Sequence, residues 1–334
     1  MNKKKGIILG IICLIVLLAI GLGLFFISKN SSAVDDENND IVEKDGEKTP
    51  EKKKTGKPLL YKVTKDGKDN VLYLFGSIHV ADERAYPMGD AVLNAYKESE
   101  ALIVEFDLVS YTTNVKAQYN DVKLMLCENG KTLKDYLKPE VYDKVIQYMK
   151  DNNVYNSAYE SYKPAFIYSL LTNVAVTKSE LDSSKGIDMY FLKMAHKDKK
   201  EIVELETSTY QMETLLSFSD DLYNYMLDEI VSKEEDEVEG LKTLYDGWLN
   251  GNIEEILSEE GEATEIPEDL LDDLEAYNNS LLIVRNEGMI NKIKQSYEDG
   301  KNTFLVVGIA HIVGEDGIAK VLEDAGYKVE KVDY

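Results

Sequence analysis

The 334-residue sequence predicts an α/β fold: a central, mainly parallel sheet built from both chain ends around a large helical insertion, preceded by one transmembrane helix. Three observations lead to this prediction. Short β-branched and aromatic runs, typical of buried strands, lie on both sides of the middle of the chain. That middle has apolar residues at three- and four-residue spacing, which is typical of helices. A long apolar run follows three lysines at the N-terminus.

The N-terminal segment has the features of a signal anchor. Residues 1–5 form a basic stub, and residues 6–28 are apolar. A helix needs about 20 apolar residues to cross a bilayer, whereas a secretory apolar region usually has about 7–15. Because positive charge favours the cytoplasmic side, we expect a single-pass protein of the cell membrane, with the lipid bilayer as a partner and an extracytoplasmic C-terminal domain. Cleavage after Ala33 is the alternative.

Composition limits the class of the remaining chain. Residues 29–57 are polar and charged, so we expect a disordered linker before a folded domain at residues 58–334. The net charge of −24 argues against nucleic acid as a partner. Cys13 and Cys127 are the only cysteines, and Cys13 lies in the apolar segment, which excludes a disulfide scaffold.

The first part of the domain is predicted to alternate strands and a helix. This order is typical of a parallel crossover unit, in which a helix connects two strands of one sheet. The predicted elements are strands at Leu59–Thr64 and Val71–Gly76, a helix at Met88–Glu98 and a strand at Ala101–Glu105.

Helices are predicted to fill the middle of the chain, and the C-terminus returns to α/β structure. The predicted helices are Val115–Asn129, Lys138–Asn152, Pro164–Lys178, Gly186–His196, a helical region from about Asp220 to Tyr277, and Ser280–Tyr297. One strand, Glu201–Leu205, interrupts them. The last predicted elements are strand Thr303–Val307, helix Asp316–Asp324 and strand Tyr327–Val332.

Two of the three histidines occur in matched positions. An apolar strand-like run leads to Gly76 and then His79, and a second such run leads to Gly308 and then His311. In open α/β sheets, ligands bind at the carboxyl ends of the strands. One such histidine is more often structural, but two in the same frame favour a shared site. Neutral imidazole serves there as a metal ligand or a general base.

Charged and amide residues add to this candidate site. Glu105 ends a strand of four apolar residues, and two histidines with one carboxylate suffice to bind a divalent metal. Glu206 ends another strand, where it either caps the next helix or lines the same edge. Arg285, beside Asn286 in an apolar helix, is expected to pair with a carboxylate or a substrate oxyanion. For Asp107 and His196 we prefer structural roles.

These motifs resemble those of the TraB/GumN family, which includes the TIKI-type membrane-anchored metalloproteases. The matches span residues 71–330 in the family's order: Gly76-Ser77-Ile78-His79, Val104-Glu105-Phe106-Asp107, Gly186-Ile187-Asp188, Leu205-Glu206-Thr207 with Gln211, Trp248 with Gly251, Arg285-Asn286, Gly308-Ile309-Ala310-His311 with Gly314 and Gly317, and Gly326-Tyr327.

The resemblance implies a fold similar to the erythromycin-esterase and ChaN-like group. It also implies a site at His79, Glu105 and His311, supported by Glu206, Arg285 and Asn286. The TIKI branch performs divalent-metal-dependent peptide cleavage, and the TraB branch shuts down a peptide pheromone.

From these residues we expect a membrane-anchored, extracytoplasmic, metal-dependent hydrolase that acts on peptides or surface proteins. His79, Glu105 and His311 would bind the divalent ion (Mn, Co or Zn), and Arg285 would join them in catalysis. One alternative is a non-catalytic surface protein that sequesters a peptide or a haem-like ligand. A second alternative is a structural module in which both histidines only pack.

Overall fold

The computed structural model describes residues 56–257 and 266–334. The predicted stub, the anchor at residues 6–28 and nearly all of the linker lie outside these ranges. The described strands form one six-stranded sheet in the order β4-β3-β5-β2-β1-β6. Their bounds are β1 Leu60–Thr64, β2 Leu72–Ser77, β3 Ala101–Val104, β4 Glu201–Glu204, β5 Thr303–Gly308 and β6 Lys328–Lys331.

The sheet is mostly parallel in its centre. Strand β5 pairs in parallel with both β2 and β3, and β3 pairs in parallel with β4. Strand β1 is antiparallel to its two neighbours, β2 and β6. The predicted crossover therefore exists between β2 and β3, but a strand from the far end of the chain lies between them. This topology brings both histidine frames onto adjacent strands.

Burial explains the composition of the central strands. Every residue of β2, β3 and β5 is buried, which matches their continuous apolar runs. Phe75 of β2 stacks on Phe304 of β5 with ring centroids 5.8 Å apart. The indole Nε1 of Trp248 donates a hydrogen bond of 2.8 Å to the carbonyl of Gly76, so a buried helix fixes the end of β2.

Helices make up most of the described chain. Its α-helices are α1 Asp90–Glu98, α2 Leu108–Thr113, α3 Val115–Met125, α4 Pro139–Asp151, α5 Pro164–Lys178, α6 Ile187–Asp198, α7 Ser208–Leu216, α8 Asp220–Ser232, α9 Glu234–Asn250, α10 Ile253–Leu257, α11 Leu271–Asn278, α12 Val284–Glu298, α13 Ile309–Ile312 and α14 Ile318–Asp324. The predicted α/β class, with a mostly parallel sheet and a helical majority, is confirmed.

Two details differ from the sequence prediction. The long helix expected at Ser280–Tyr297 begins with a π-helical turn, Asn279–Ile283, and becomes α-helical only at Val284. His311, for which no helix was predicted, lies in the short helix α13, which follows β5 without a break. The other predicted boundaries shift by a few residues.

The apolar side chains form two clusters. One surrounds the sheet, and the other lies within the helical insertion, where Phe166 and Leu171 of α5 pack with Met212 of α7 and Leu227 of α8. Across residues 56–257 and 266–334, no helix combines the length and the apolar character that a bilayer span requires.

Candidate functional site

Three strand ends meet at the carboxyl edge of the sheet. The register places Ser77 of β2 opposite Gly308 of β5, so His79 and His311 follow neighbouring strands. Glu105 follows β3, on the other side of β5. The three predicted ligands therefore surround the end of one central strand, as the rule for open α/β sheets predicts.

Glu105 is the centre of this cluster. Its Oε1 accepts a hydrogen bond from the backbone N–H of Gly308 at 2.9 Å and lies 3.9 Å from Nε2 of His311. Its Oε2 accepts from Nη2 of Arg285 at 2.7 Å and from Nε2 of Gln211 at 2.9 Å. Two side chains thus hold Oε2, whereas the backbone holds Oε1, which also faces an imidazole.

Both imidazoles are anchored through Nδ1. In His79 this atom lies 2.6 Å from Oδ2 of Asp188, whose Oδ1 accepts from the Ser77 hydroxyl at 2.5 Å. In His311 it lies 2.7 Å from Oδ1 of Asn286.

The partners of Asn286 settle the tautomer of His311. The Asn286 amide nitrogen donates to the carbonyls of His311, at 3.3 Å, and Asp316, at 2.9 Å. Its Oδ1 is therefore the acceptor facing the ring, so Nδ1 of His311 is the donor and the lone pair of the neutral ring is on Nε2. Metal-binding histidines in proteins have this arrangement.

Gly308 marks the space that these groups share. A Cβ placed on Gly308 would lie 3.4 Å from Oε1 of Glu105, 3.7 Å from Cδ2 of His311 and 3.8 Å from Nε2 of His79. The absence of a side chain at this position therefore leaves a small space between the two imidazoles and the carboxylate.

A buried ionic network supports Glu105 from behind. Arg285 binds Glu206 through Nε, 3.0 Å from Oε1, and through Nη2, 2.7 Å from Oε2. Nε2 of Gln211 lies 3.0 Å from Oε2 of Glu206 as well as contacting Glu105. One guanidinium and one amide thus bridge two buried carboxylates, an arrangement that fixes the orientation of Glu105.

The electrostatics of the cluster follow from these contacts. Burial acts to raise the pKa of Glu105, but Arg285 and then the two histidines lower it to about 2. Burial and the charge of Arg285 lower the pKa of His311 to about 3, so this imidazole is neutral at pH 7. Burial also acts to lower the pKa of His79, but Asp188 outweighs it and the pKa is raised.

Solvent reaches the cluster from the side of His79. The His79 side chain is 15% exposed, against 7% for Glu105 and 2% for His311. A ligand entering from solvent would therefore meet His79 first and His311 last.

The donor chemistry suits a divalent ion, although the described residues contain no group of three His, Cys, Asp or Glu side chains already placed to hold one. Two imidazoles anchored at Nδ1 and one ionised carboxylate border the space at Gly308. Nitrogen and carboxylate ligands of this kind bind Zn²⁺, Mn²⁺ and Co²⁺. The residues therefore fit a metal by their chemistry.

The structure brings all six predicted site residues into one connected cluster: His79, Glu105, Glu206, Arg285, Asn286 and His311. Sequence reasoning assigned no role to Asp188 or Gln211, although both occur in the motifs it quoted. Apart from that motif, the signal for Asp188 was its acidic side chain in the first turn of α6. Acidic residues are common at that position because they stabilise the start of a helix, so the signal does not indicate a functional site. Asp107 and His196, for which we preferred structural roles, contact each other, with Oδ2 and Nε2 2.8 Å apart.

Comparison with known proteins identifies the family to which the chain is similar. Residues 59–331 match the family model described as the TraB/PrgY/gumN family. The curated relatives include the uncharacterized protein YbaP of Escherichia coli (strain K12) and that of Shigella flexneri. Each is 25% identical over 178 residues, which cover 53% of this chain and 64% of the relative. The match thus spans less than two thirds of those relatives. No solved structure matches the chain.

Proposed function

This chain belongs to the TraB/PrgY/gumN family, and we propose that it is a divalent-metal-dependent hydrolase that cleaves peptides or surface proteins. One observation carries the proposal. Nε2 of His79, the His311 ring and Oε1 of Glu105 all border the space that Gly308 leaves open.

His79, His311 and Glu105 are the residues that would hold the ion. Bound there, Mn²⁺, Co²⁺ or Zn²⁺ would supply Lewis acidity for the hydrolysis of a carbonyl substrate. The remaining residues of the cluster prepare these ligands, and their contacts indicate how.

Asp188 and Asn286 orient the two imidazoles. Each places an oxygen within 2.7 Å of Nδ1, which favours the tautomer with the lone pair on Nε2. Partners of this type commonly contribute 10–100-fold to metal affinity or activity, as an order of magnitude. Burial of His311 and Glu105 keeps water from competing for both side chains.

Arg285 keeps Glu105 ionised and in place. Its guanidinium contacts both Glu105 and Glu206, so the second carboxylate balances the charge of the arginine. This favours the carboxylate-pairing alternative of the sequence prediction. That Arg285 also stabilises a substrate oxyanion stays a prediction.

We also propose a subcellular location for the protein. Residues 6–28 would anchor the chain in the cell membrane, with the domain that carries the site on the extracytoplasmic side. We also propose that the fold of this domain is similar to that of the erythromycin-esterase and ChaN-like group.

Activity on peptides tests the function directly. The full-length chain in lipid nanodiscs is stripped of metal, and Mn²⁺, Co²⁺ or Zn²⁺ is added back separately with a mixed peptide library read by mass spectrometry. We expect metal-dependent cleavage that His79→Ala and His311→Ala abolish and that His196→Ala, the third histidine, retains. Full activity in both site variants would refute the site. Metal binding without cleavage of any peptide would support the non-catalytic alternative instead.

A further inference from the structure

A second feature of the described chain is an apolar cavity beside α5 in the helical insertion. Its volume is about 520 Å³, within the range of about 300–1,000 Å³ that is typical of ligand pockets. One face of α5 forms its longest wall, because residues three and four positions apart on a helix lie on the same side. The wall includes Phe166, Leu170, Asn173 and Thr177.

The lining of the cavity is most exposed at the C-terminal end of α5, which we call its open end. Met125 and Phe166 are buried, whereas Thr177 and Glu180 are exposed. The segment Glu180–Ser183, which follows α5, forms the wall at the open end. A ligand would therefore enter beside this segment and place its apolar part towards Met125.

The open end lies close to His79. The backbones of Ala81 and Asp182 form two hydrogen bonds, with N–O distances of 3.1 and 2.9 Å, and the N–H of Ile187 donates to the carbonyl of Ile78 at 3.0 Å. The segment Glu180–Ser183 at the open end of the cavity thus runs beside the segment that carries His79.

Backbone geometry limits the separation. Hydrogen-bonded antiparallel partners have Cα atoms about 5.5 Å apart, and two residues span at most about 7 Å. The Cα atoms of Asp182 and His79 are therefore within about 13 Å of each other, a distance that about four residues of extended peptide cover at roughly 3.3 Å each.

The charged residues that line the cavity are all acidic. Glu180 and Asp182 contribute carboxylates, and no described residue that lines the cavity is basic. An apolar interior with an acidic opening is complementary to a bulky apolar side chain that has a positively charged neighbour.

We infer that this cavity is a substrate subsite that takes a bulky apolar side chain, next to a basic residue, about four positions from the peptide bond to be cleaved. This inference rests on the proposed peptidase function, since it places the cavity on the path of the same peptide. We therefore expect the protein to select peptides by a residue about four positions from the bond that is cleaved.

Binding to a cleavage-deficient protein tests the subsite separately from catalysis. The probe is a Gly/Ala dodecapeptide that carries a Phe-Lys pair at each position in turn, with Ala-Lys and Phe-Ala peptides as references. Calorimetry with the full-length His311→Ala protein in nanodiscs measures the affinity. We expect Phe-Lys peptides to bind roughly tenfold more tightly or better, because the cavity would bury the apolar Phe side chain.

Three variants locate the effect. Thr177→Trp adds bulk at the exposed rim of the cavity and should abolish the preference for Phe, whereas Thr177→Val, of nearly the same size, should retain it. Glu180→Gln should remove the gain from the adjacent Lys and leave the preference for Phe. Equal affinity of Phe and Ala peptides, or a preference that survives Thr177→Trp, would overturn the inference. A preference for Phe in the His311→Ala protein, together with a wild type that cleaves none of these peptides with any added metal, would refute the proposed function and leave a peptide-binding cavity.

Discussion

Ser77 and Gly308 lie opposite each other in the parallel pair β2–β5, so the two glycine–histidine frames run side by side but one residue out of step. Gly76 is opposite Val307 instead of opposite Gly308. The two frames, which look alike in sequence, therefore place their glycines in different surroundings. Gly76 faces the packed core, whereas Gly308 faces the candidate ligands.

The first prediction separates the two glycines. A Cβ at Gly76 would come within 2.1 Å of Cδ1 of Ile309, whereas a Cβ at Gly308 meets only ordinary contacts of 3.4 Å or more. Gly308→Ala should therefore keep the melting temperature within a few degrees of the wild type but abolish divalent-ion binding and activity. Gly76→Ala should lower the melting temperature, because overpacking commonly costs about 1–3 kcal/mol. Calorimetry and ion titration would show this, and normal ion binding by Gly308→Ala would contradict it.

The second prediction concerns Asp188. Replacing it with Asn removes the charge that raises the pKa of His79, so that pKa should fall in the metal-free protein. Ion affinity should also fall by roughly 10–100-fold. NMR titration of the imidazole and calorimetry measure the two effects. Asp107→Asn, in the pair with His196, is the matched control and should change neither quantity. An unchanged His79 pKa in Asp188→Asn would show that the contact does not act on the ring.

The third prediction concerns the buried arginine. Arg285→Met leaves the buried carboxylates of Glu105 and Glu206 without their shared cation, so the free energy of unfolding should fall by about 3–5 kcal/mol. Adding Glu206→Gln should recover part of this loss. Urea unfolding provides the measurement. Arg84→Met, at the chain's other arginine, breaks exposed pairs and should cost about 0–1 kcal/mol. Equal losses in the two variants would contradict the burial argument.

The fourth prediction is a pH dependence of stability that originates in α9. Burial, then Glu229 and Asp236, raise the pKa of Glu237 to about 7 in the folded chain, from 4.5. Because the folded pKa is raised, the contribution to stability is present below pH 4.5 and lost as the pH rises through 7. Glu237→Gln should therefore melt at a higher temperature than the wild type at pH 8. Glu239→Gln, exposed on the same helix, should not, and identical pH profiles for all three proteins would refute the assignment.

The sequence was sufficient to locate the candidate ligands at strand ends because their signals are local. His79 and His311 stand directly after apolar runs, and Glu105 ends one, so each was visible without knowing which strands are neighbours. The strand order was not predictable in the same way. Nothing in the periodicity of β5 shows that it lies between β2 and β3.

The supporting residues depend on contacts between distant parts of the chain. Asp188 reaches His79 because α6 begins beside the carboxyl end of β2, and Gln211 reaches Glu105 because α7 follows β4 at the same edge. Both side chains have ordinary alternative explanations in the first turns of helices. The three-dimensional packing of helix ends on the sheet edge is what distinguishes them.

The central claim is that His79, His311 and Glu105 bind one divalent ion. The most direct measurement is equilibrium dialysis of the untagged full-length chain against Zn²⁺, Mn²⁺ or Co²⁺, with bound metal quantified by mass spectrometry. We predict about one ion per chain in the wild type and in His196→Ala, and none in His79→Ala/His311→Ala. Retention of the ion by the double histidine variant, or the absence of any bound ion in a wild type that cleaves peptides, would contradict the account.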